Sequence, residues 1–168
     1  GYARALVRSS IPYKVVEENH MESLNGIKIL FMPRILVTSD ALSDVLTSFV
    51  AEGGTIVCES ETGAFTPEGF YRYPEERFLF NILSVEEIGR RDVPASALKI
   101  TLGTKTIELP AAQWLTPLIG SKPHKVLGQH VDGALIAEFN YGKGKIMYLG
   151  SYFGKAYFDT WNSGFEEL

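Results

Sequence analysis

The sequence is short of the residues that most function classes need. Its 168 residues contain one cysteine, Cys58, which excludes a disulfide framework within the chain. The three histidines, His20, His124 and His130, have no Cys or His partner at metal-ligand spacing, so no zinc site or other metal centre is expected. No apolar run approaches the ~20 residues that span a bilayer, and no signal-peptide pattern precedes Arg4. Positive charge is not in excess either. With 16 Lys and Arg against 20 Asp and Glu, the net charge is −4, whereas nucleic-acid binding requires clustered cations. The expectation is a soluble chain without nucleic-acid or membrane partners, and the sequence does not choose between cytoplasm and periplasm.

What is present indicates a packed α/β fold. The length suits a single domain over residues 1–168 with a core of its own. Ala3, Leu6 and Val7 read as the second half of an amphipathic helix, and Gly1 stands where an initiator Met would be. A fragment of a longer protein is therefore expected.

The most organised stretch is 26–60. Ile27-Lys28-Ile29-Leu30-Phe31-Met32 is a mostly apolar run without alternation, as in a parallel strand covered on both faces, and Pro33 ends it. Thr38, Ser39 or Asp40 supplies a helix N-cap, and Leu42, Val45, Leu46, Phe49 and Val50 form one helical face. Gly53 or Gly54 stops that helix, and Thr55-Ile56-Val57-Cys58 resumes a buried strand. Strand, helix, strand makes a right-handed βαβ unit.

Either side of it, the residues predict a strand over 13–18 after Pro12, an aromatic loop over 63–74, and a helix over 75–83 with acids in its first turn. Further on, 98–102 and 105–109 flank Gly103-Thr104 as a hairpin, and 125–130 and 134–140 flank Asp132-Gly133 in the same way. Residues 145–150 follow the glycine turn Tyr141-Gly142-Lys143-Gly144 as one more strand. A parallel βα half is thus joined to an antiparallel β half.

Three stretches, in order, carry a resemblance. They are Ile29-Leu30-Phe31-Met32-Pro33 with Phe49-Val50-Ala51-Glu52-Gly53-Gly54-Thr55-Ile56-Val57; Arg77-Phe78-Leu79-Phe80-Asn81-Ile82-Leu83 with Glu86-Glu87; and the closing hairpin from Ala134 to Gly150. Together they resemble the middle, trimerisation domain of family 42 β-galactosidases. That resemblance implies a flavodoxin-like, class I glutamine-amidotransferase-like three-layer sandwich, with a parallel sheet and antiparallel C-terminal strands. It implies as partners a catalytic (β/α)8 barrel elsewhere in the parent chain, further copies of the chain, often as a trimer, and the parent's galactoside substrate. The family's opening strand is absent here, so neighbouring strands pair directly or another chain fills the slot.

An amidotransferase-like enzyme needs a nucleophilic Cys on a glycine-flanked strand-to-helix elbow, with a His and a carboxylate nearby. Here Cys58 lies inside the strand and Glu59-Ser60-Glu61 occupies the elbow, so Cys58 is expected to be a core thiol. His130-Val131-Asp132 imitates a base and its orienter, yet the Asp-Gly turn explains it more simply. Glu59 and Glu61 stand where α/β sheets bind ligands, and as alternating strand residues they are candidates to share a face. Two neighbours on one strand do not straddle a sugar as a glycosidase pair must. Ser60 has no adjacent base.

Among the aromatic residues Phe65, Phe70, Tyr71, Tyr73, Trp114 and Trp161, rings projecting from the loop into solvent would mark an interface. The candidate contacts with a ligand or partner are therefore Glu59, Ser60, Glu61, Phe70, Tyr71 and Tyr73, with no catalytic residue and no cofactor. The main expectation is a non-catalytic assembly domain of a glycoside hydrolase, inactive alone. The alternative is a stand-alone amidotransferase-like enzyme or sugar-binding protein using the strand ends over 59–63.

Overall fold

The computed structural model describes residues 1–168, with the side chains of all but Glu22 and Ser23. In chain order its elements are helix α1 (Tyr2–Arg8), strand β1 (Ile29–Met32), helix α2 (Asp40–Ala51), strand β2 (Thr55–Glu59), helix α3 (Phe78–Leu83) and strand β3 (Val85–Glu87). The hairpin β4 (Leu98–Leu102) and β5 (Lys105–Leu109) comes next, then β6 (Leu118–Gly120), β7 (Lys125–His130), β8 (Gly133–Tyr141), β9 (Gly144–Leu149) and helix α4 (Phe153–Thr160).

The βαβ unit forms as its residues dictate. Ser39 Oγ accepts the Leu42 amide at 3.1 Å and so opens α2, satisfying one of the free donors of the first turn. Leu42, Leu46 and Val50 are buried, while Val45 lies at the rim of that face. Gly54 is required by contact, because a Cβ there would enter the Phe49 ring. Residues of β1 and β2 then pair in parallel, Ile29 with Thr55 through Met32 with Cys58.

The sheet is mixed, and among the described residues it has seven strands. Its order is β1-β2-β9-β8-β6-β3, with β7 also paired to β8. The β1–β2 and β2–β9 pairs are parallel, while β8 pairs antiparallel with β9, β6 and β7. Alternation along β2 divides the core between two faces. Ile56 and Cys58 join the cluster of Leu46, Val50, Phe78 and Tyr148, and Val57 joins that of Ile100, Leu109, Leu135 and Phe153. The β4–β5 hairpin forms a separate two-stranded sheet on the second face.

Four expectations are corrected. The strand over 13–18 does not form: residues 11–17 have no turn, bend or pairing and are exposed apart from half-buried Val16, and 18–24 is a 3-10 turn. Pro12 favours drawn-out backbone, but a strand also needs a partner. β1 is not covered on both sides, for it is the edge of the sheet and Ile29 is 53 % exposed. It pairs directly with β2 and, among the described residues, with no strand on its other side.

The helix over 75–83 is broken in two. Residues Pro74–Glu76 make a 3-10 turn, and Arg77 is extended (φ −85°, ψ 159°) before α3 begins. The break turns the Arg77 side chain into the interior. Finally, the sequence reading had no β3, β6 or α4.

Candidate functional site

The C-terminal end of β2 is where an α/β sheet presents groups to a ligand. The strand stops at Glu59 and the chain turns at once, with Glu61 at φ +60°. A left-handed backbone is costly for a residue with a Cβ and persists only when its surroundings fix it. They do so here: the Glu61 amide donates to Glu87 Oε1 at 2.7 Å, and Thr62 Oγ1 donates to the Glu59 carbonyl at 2.7 Å. This turn also takes Glu61 out of strand alternation. Glu59 and Glu61 consequently face different partners rather than one shared ligand position.

Glu59 is 2 % exposed. Its Oε1 accepts from the Tyr2 hydroxyl and the Gly154 amide, both at 2.7 Å, and its Oε2 from the Arg34 amide at 3.0 Å. The carboxylate thereby ties α1, α4 and the loop after β1 to the end of β2. Burial pushes its pKa up, and these three donors oppose the shift. Burial, reinforced by the same contact, holds the Tyr2 phenol well above its ordinary value.

Ser60 opens a buried hydroxyl chain. Ser60 Oγ lies 2.7 Å from Thr116 Oγ1, which lies 2.6 Å from the Tyr148 hydroxyl, and that hydroxyl donates to Glu87 Oε1 at 2.6 Å. Glu87 Oε2 forms an ion pair with the buried Arg77 guanidinium. Burial raises the Glu87 pKa, opposed by Arg77, Tyr148 and the Glu61 amide. Arg77 continues outward, donating Nη2 to the Tyr71 hydroxyl at 2.8 Å.

Glu61 takes the Arg90 fork, Nε to Oε1 at 2.9 Å and Nη2 to Oε2 at 3.2 Å, and the Tyr152 hydroxyl on Oε2 at 3.0 Å. Arg90 in turn lies over the Trp114 ring, 3.7 Å from its centroid. All six carboxylate oxygens of Glu59, Glu61 and Glu87 are thus engaged by the chain's own donors. Oxygens held in this way orient the neighbouring elements.

Nucleophile chemistry finds no support in this geometry. Cys58 is fully buried in β2, its Sγ 3.7 Å from the Met147 carbonyl, and burial followed by the nearby Glu87 drives its pKa far upward. A buried neutral thiol is inert, since the thiolate is the reactive form. His130 sits at the β7–β8 turn, where its Nδ1 accepts the Asp132 amide at 3.1 Å while the Asp132 carboxylate pairs with Arg91 at 2.5 Å. Among the described residues no group of three or more His, Cys, Asp or Glu is placed to hold a metal ion. No helix among them is long and apolar enough to cross a membrane.

The aromatic loop is built differently. Phe65 bridges to Val37 and Tyr71, and the Phe65, Tyr71 and Tyr73 rings meet edge-on at 5.6 Å spacings. Phe70 is 71 % and Tyr73 61 % exposed, with Tyr71 half-exposed. Beside them an open cleft of about 720 Å³ is lined by Glu61, Phe65, Tyr71, Arg77, Glu86 and Arg90. Trp114 packs edge-on against Tyr152, and Trp161 lies exposed beneath the Arg4 guanidinium. Sequence reasoning names Glu59, Ser60, Glu61, Phe70, Tyr71 and Tyr73, but misses Arg77, Glu87, Arg90, Thr116, Tyr148 and Tyr152. The readable signal was Glu87, one residue after an acid and two after Val85, in the period of a strand.

Solved structures share this fold. A β-galactosidase from Rahnella sp. R3 superposes with a TM-score of 0.75 at 16 % identity, over 97 % of this chain and 26 % of that one. A GH42 β-galactosidase from G. stearothermophilus gives 0.73 at 21 % identity, over 99 % and 25 %. The chain therefore spans about a quarter of the length of these structures. A cytoplasmic protein from Salmonella typhimurium LT2 is similar over 96 % of this chain and 80 % of its own, with a TM-score of 0.65 and 17 % identity. No curated protein matches. The model of the β-galactosidase trimerisation domain matches residues 1–164, and the chain belongs to that family.

Proposed function

We propose that residues 1–168 are a single, non-catalytic assembly domain of a larger β-galactosidase-like hydrolase. The hydrolytic carboxylates lie on a barrel outside this chain, and the parent's substrate is a galactoside. One observation carries the reading: at the strand ends every carboxylate oxygen of Glu59, Glu61 and Glu87 is bound within the chain, while the rings beside them are exposed. Phe70, Tyr71 and Tyr73 are the interface contacts, and Glu61 with Arg90 forms the polar wall of the adjoining cleft. Glu59 and Ser60 hold the elements that present this surface. The parallel βαβ unit and the left-handed turn after β2 support a flavodoxin-like, amidotransferase-like winding whose nucleophile position is occupied by an acid.

The test is direct. The purified chain should release no nitrophenol from a nitrophenyl β-galactoside, and light scattering of the parent enzyme should report a trimer that Phe70→Ser with Tyr73→Ser weakens. Turnover by the chain alone would overturn the reading.

The Salmonella protein supports a second reading, because there the fold makes up most of a chain. In that case the domain is a stand-alone enzyme or sugar-binding protein using residues 59–63. Alkylation separates the two: Cys58 modified rapidly at neutral pH favours the second reading, and a thiol that reacts only on unfolding favours the first.

A further inference from the structure

One side chain joins the buried strand-end network to the aromatic loop. Arg77 Nη1 pairs with Glu87 Oε2. Its Nε donates to the Arg72 carbonyl at 3.1 Å and its Nη2 to the Tyr71 hydroxyl at 2.8 Å, and the guanidinium carbon lies 5.3 Å from the centre of the Tyr71 ring. The two side chains of the ion pair are 5 % and 4 % exposed. A pair so deeply buried is held together only while both partners carry their charge.

The two oxygens of Glu87 are not equivalent. Oε1 accepts from the Glu61 amide at 2.7 Å and the Tyr148 hydroxyl at 2.6 Å, with Thr116 Oγ1 at 3.4 Å, while among the described residues Oε2 is held by Arg77 alone. A proton reaching this carboxylate therefore goes to Oε2 and takes the place of Arg77. The other groups facing Glu87 come from three elements. Cys58 of β2 and Tyr148 of β9 stay neutral, because burial first and Glu87 next drive both upward. Glu61, in the turn after β2, has its carboxylate on Arg90. Arg77 is thus the cation whose position depends on the charge of Glu87. Burial raises the Glu87 pKa, so proton uptake falls above the ordinary Glu range.

A guanidinium deprived of its carboxylate is costly to keep out of water. Arg77, Glu87 and Thr116 line the open cleft of about 720 Å³, which gives the cation a short way out and the proton a way in. The backbone beside it stays pinned. The Arg72 amide donates to the Ala64 carbonyl at 2.8 Å, and the Arg72 guanidinium holds Thr38 and Asp40. Movement is accordingly confined to the side chains of Arg77 and Tyr71.

We infer that Glu87 and Arg77 form a proton-operated latch on the aromatic loop: a proton on Glu87 Oε2 releases Arg77 into the cleft, and Arg77 draws Tyr71 out of its stack between Phe65 and Tyr73. The latch is closed at neutral pH, where the three rings meet edge-on, and open in acid. The latch itself is independent of the function proposed above. Its consequence for assembly, a weaker trimer in acid, rests on the reading of Tyr71 as an interface contact.

Nuclear magnetic resonance of the isotope-labelled chain tests this through the Arg77 Nε–H signal and the proton contacts of the Tyr71 ring with Phe65 and Tyr73. On lowering the pH from neutral toward the ordinary Glu value of 4.5, Arg77 Nε–H exchange should rise by about tenfold or more beyond the trend of the exposed arginines. The contacts of the Tyr71 ring should fade with the same midpoint, while the Arg72 amide stays unchanged. Glu87→Gln removes the titrating group and should leave Arg77 released at every pH. Tyr71→Phe keeps the fold and cuts the phenol tie, so the Arg77 transition should persist while the ring contacts no longer follow it.

Three results would overturn the inference. The first is an Arg77 signal that does not respond to pH over this range. The second is a transition that survives in Glu87→Gln, which assigns the proton to Glu61. The third is release of Arg77 with the Tyr71 contacts intact, which removes the coupling to the loop. Sedimentation of the parent enzyme addresses the consequence separately: a latch that opens without weakening association would overturn the interface reading of Tyr71 and leave the latch standing.

Discussion

The end of β2 and the loop at 63–73 adjoin each other, yet they satisfy their groups in opposite ways. At the strand end Glu59, Glu61 and Glu87 are buried and all their oxygens accept bonds, from α1, α4, the loop after β1, Arg77, Arg90, Tyr148 and the Glu61 amide. In the loop, Phe70 and Tyr73 expose most of their rings. A saturated buried network fixes geometry, because leaving any member unpaired costs more than making the bond gains. Exposed rings cost little in the free chain and gain by being covered. Tyr71 joins the two regions, its hydroxyl on Arg77 and its ring between Phe65 and Tyr73. The division assigns stability to one region and contact to the other, and substitutions test whether it holds.

The largest effect is expected at Arg77. Arg77→Ala leaves the Glu87 carboxylate buried without its cation, which typically costs about 3–5 kcal/mol, read as a lower urea midpoint. Arg77→Met combined with Glu87→Leu should recover much of that loss, because removing both charges also removes the desolvation penalty. If Arg77→Ala were neutral, the strand-end network would not be the stabilising region. Next comes Tyr148→Phe, which strips a donor from Glu87 and a neighbour from Thr116. It should cost about 1–3 kcal/mol by denaturant unfolding.

These positions also mark the boundary of what the sequence revealed. The βαβ unit, both hairpins and the strand after the Gly-Lys-Gly turn were legible, because periodicity and turn residues are local. The network was not. Glu87 reads as half of a surface acidic pair, and only the fold brings Arg77, Thr116 and Tyr148 to it. Arg77 was hidden for a related reason: its residue type and spacing suit the middle of a helix, whereas the inward ion pair is accompanied by extended backbone there. The spacing of Phe153, Ala156 and Tyr157 is that of a helix face, so α4 was readable although unread. The free edge of β1 was foreshadowed by the missing opening strand, but its apolar run gave no sign of half-exposure.

A smaller effect, visible in the pH dependence, concerns Glu59. Its pKa in the folded chain is raised by burial, so folding favours the protonated carboxyl. That contribution is fully present below the ordinary Glu value of 4.5 and is lost as pH rises through the raised folded value. Thermal melts across this window should show stability falling with rising pH, and Glu59→Gln should flatten the fall. An unchanged slope in the variant would assign the dependence to another group, with Glu87, raised by the same cause, the first alternative.

The smallest effect on stability is expected where the exposed surface is largest. Phe70→Ser and Tyr73→Ser remove rings that are mostly in water, and surface changes of this kind usually stay within about 0.5 kcal/mol. Tyr73 keeps a structural tie through its amide, which donates to Glu76 Oε2 at 2.9 Å, but that bond belongs to the backbone and survives the substitution. The pair of substitutions should therefore leave the urea midpoint of the chain unchanged while weakening association of the parent enzyme, measured by sedimentation at several concentrations. The opposite pattern, a lower midpoint with assembly intact, would make the loop part of the core and erase the distinction between the two regions.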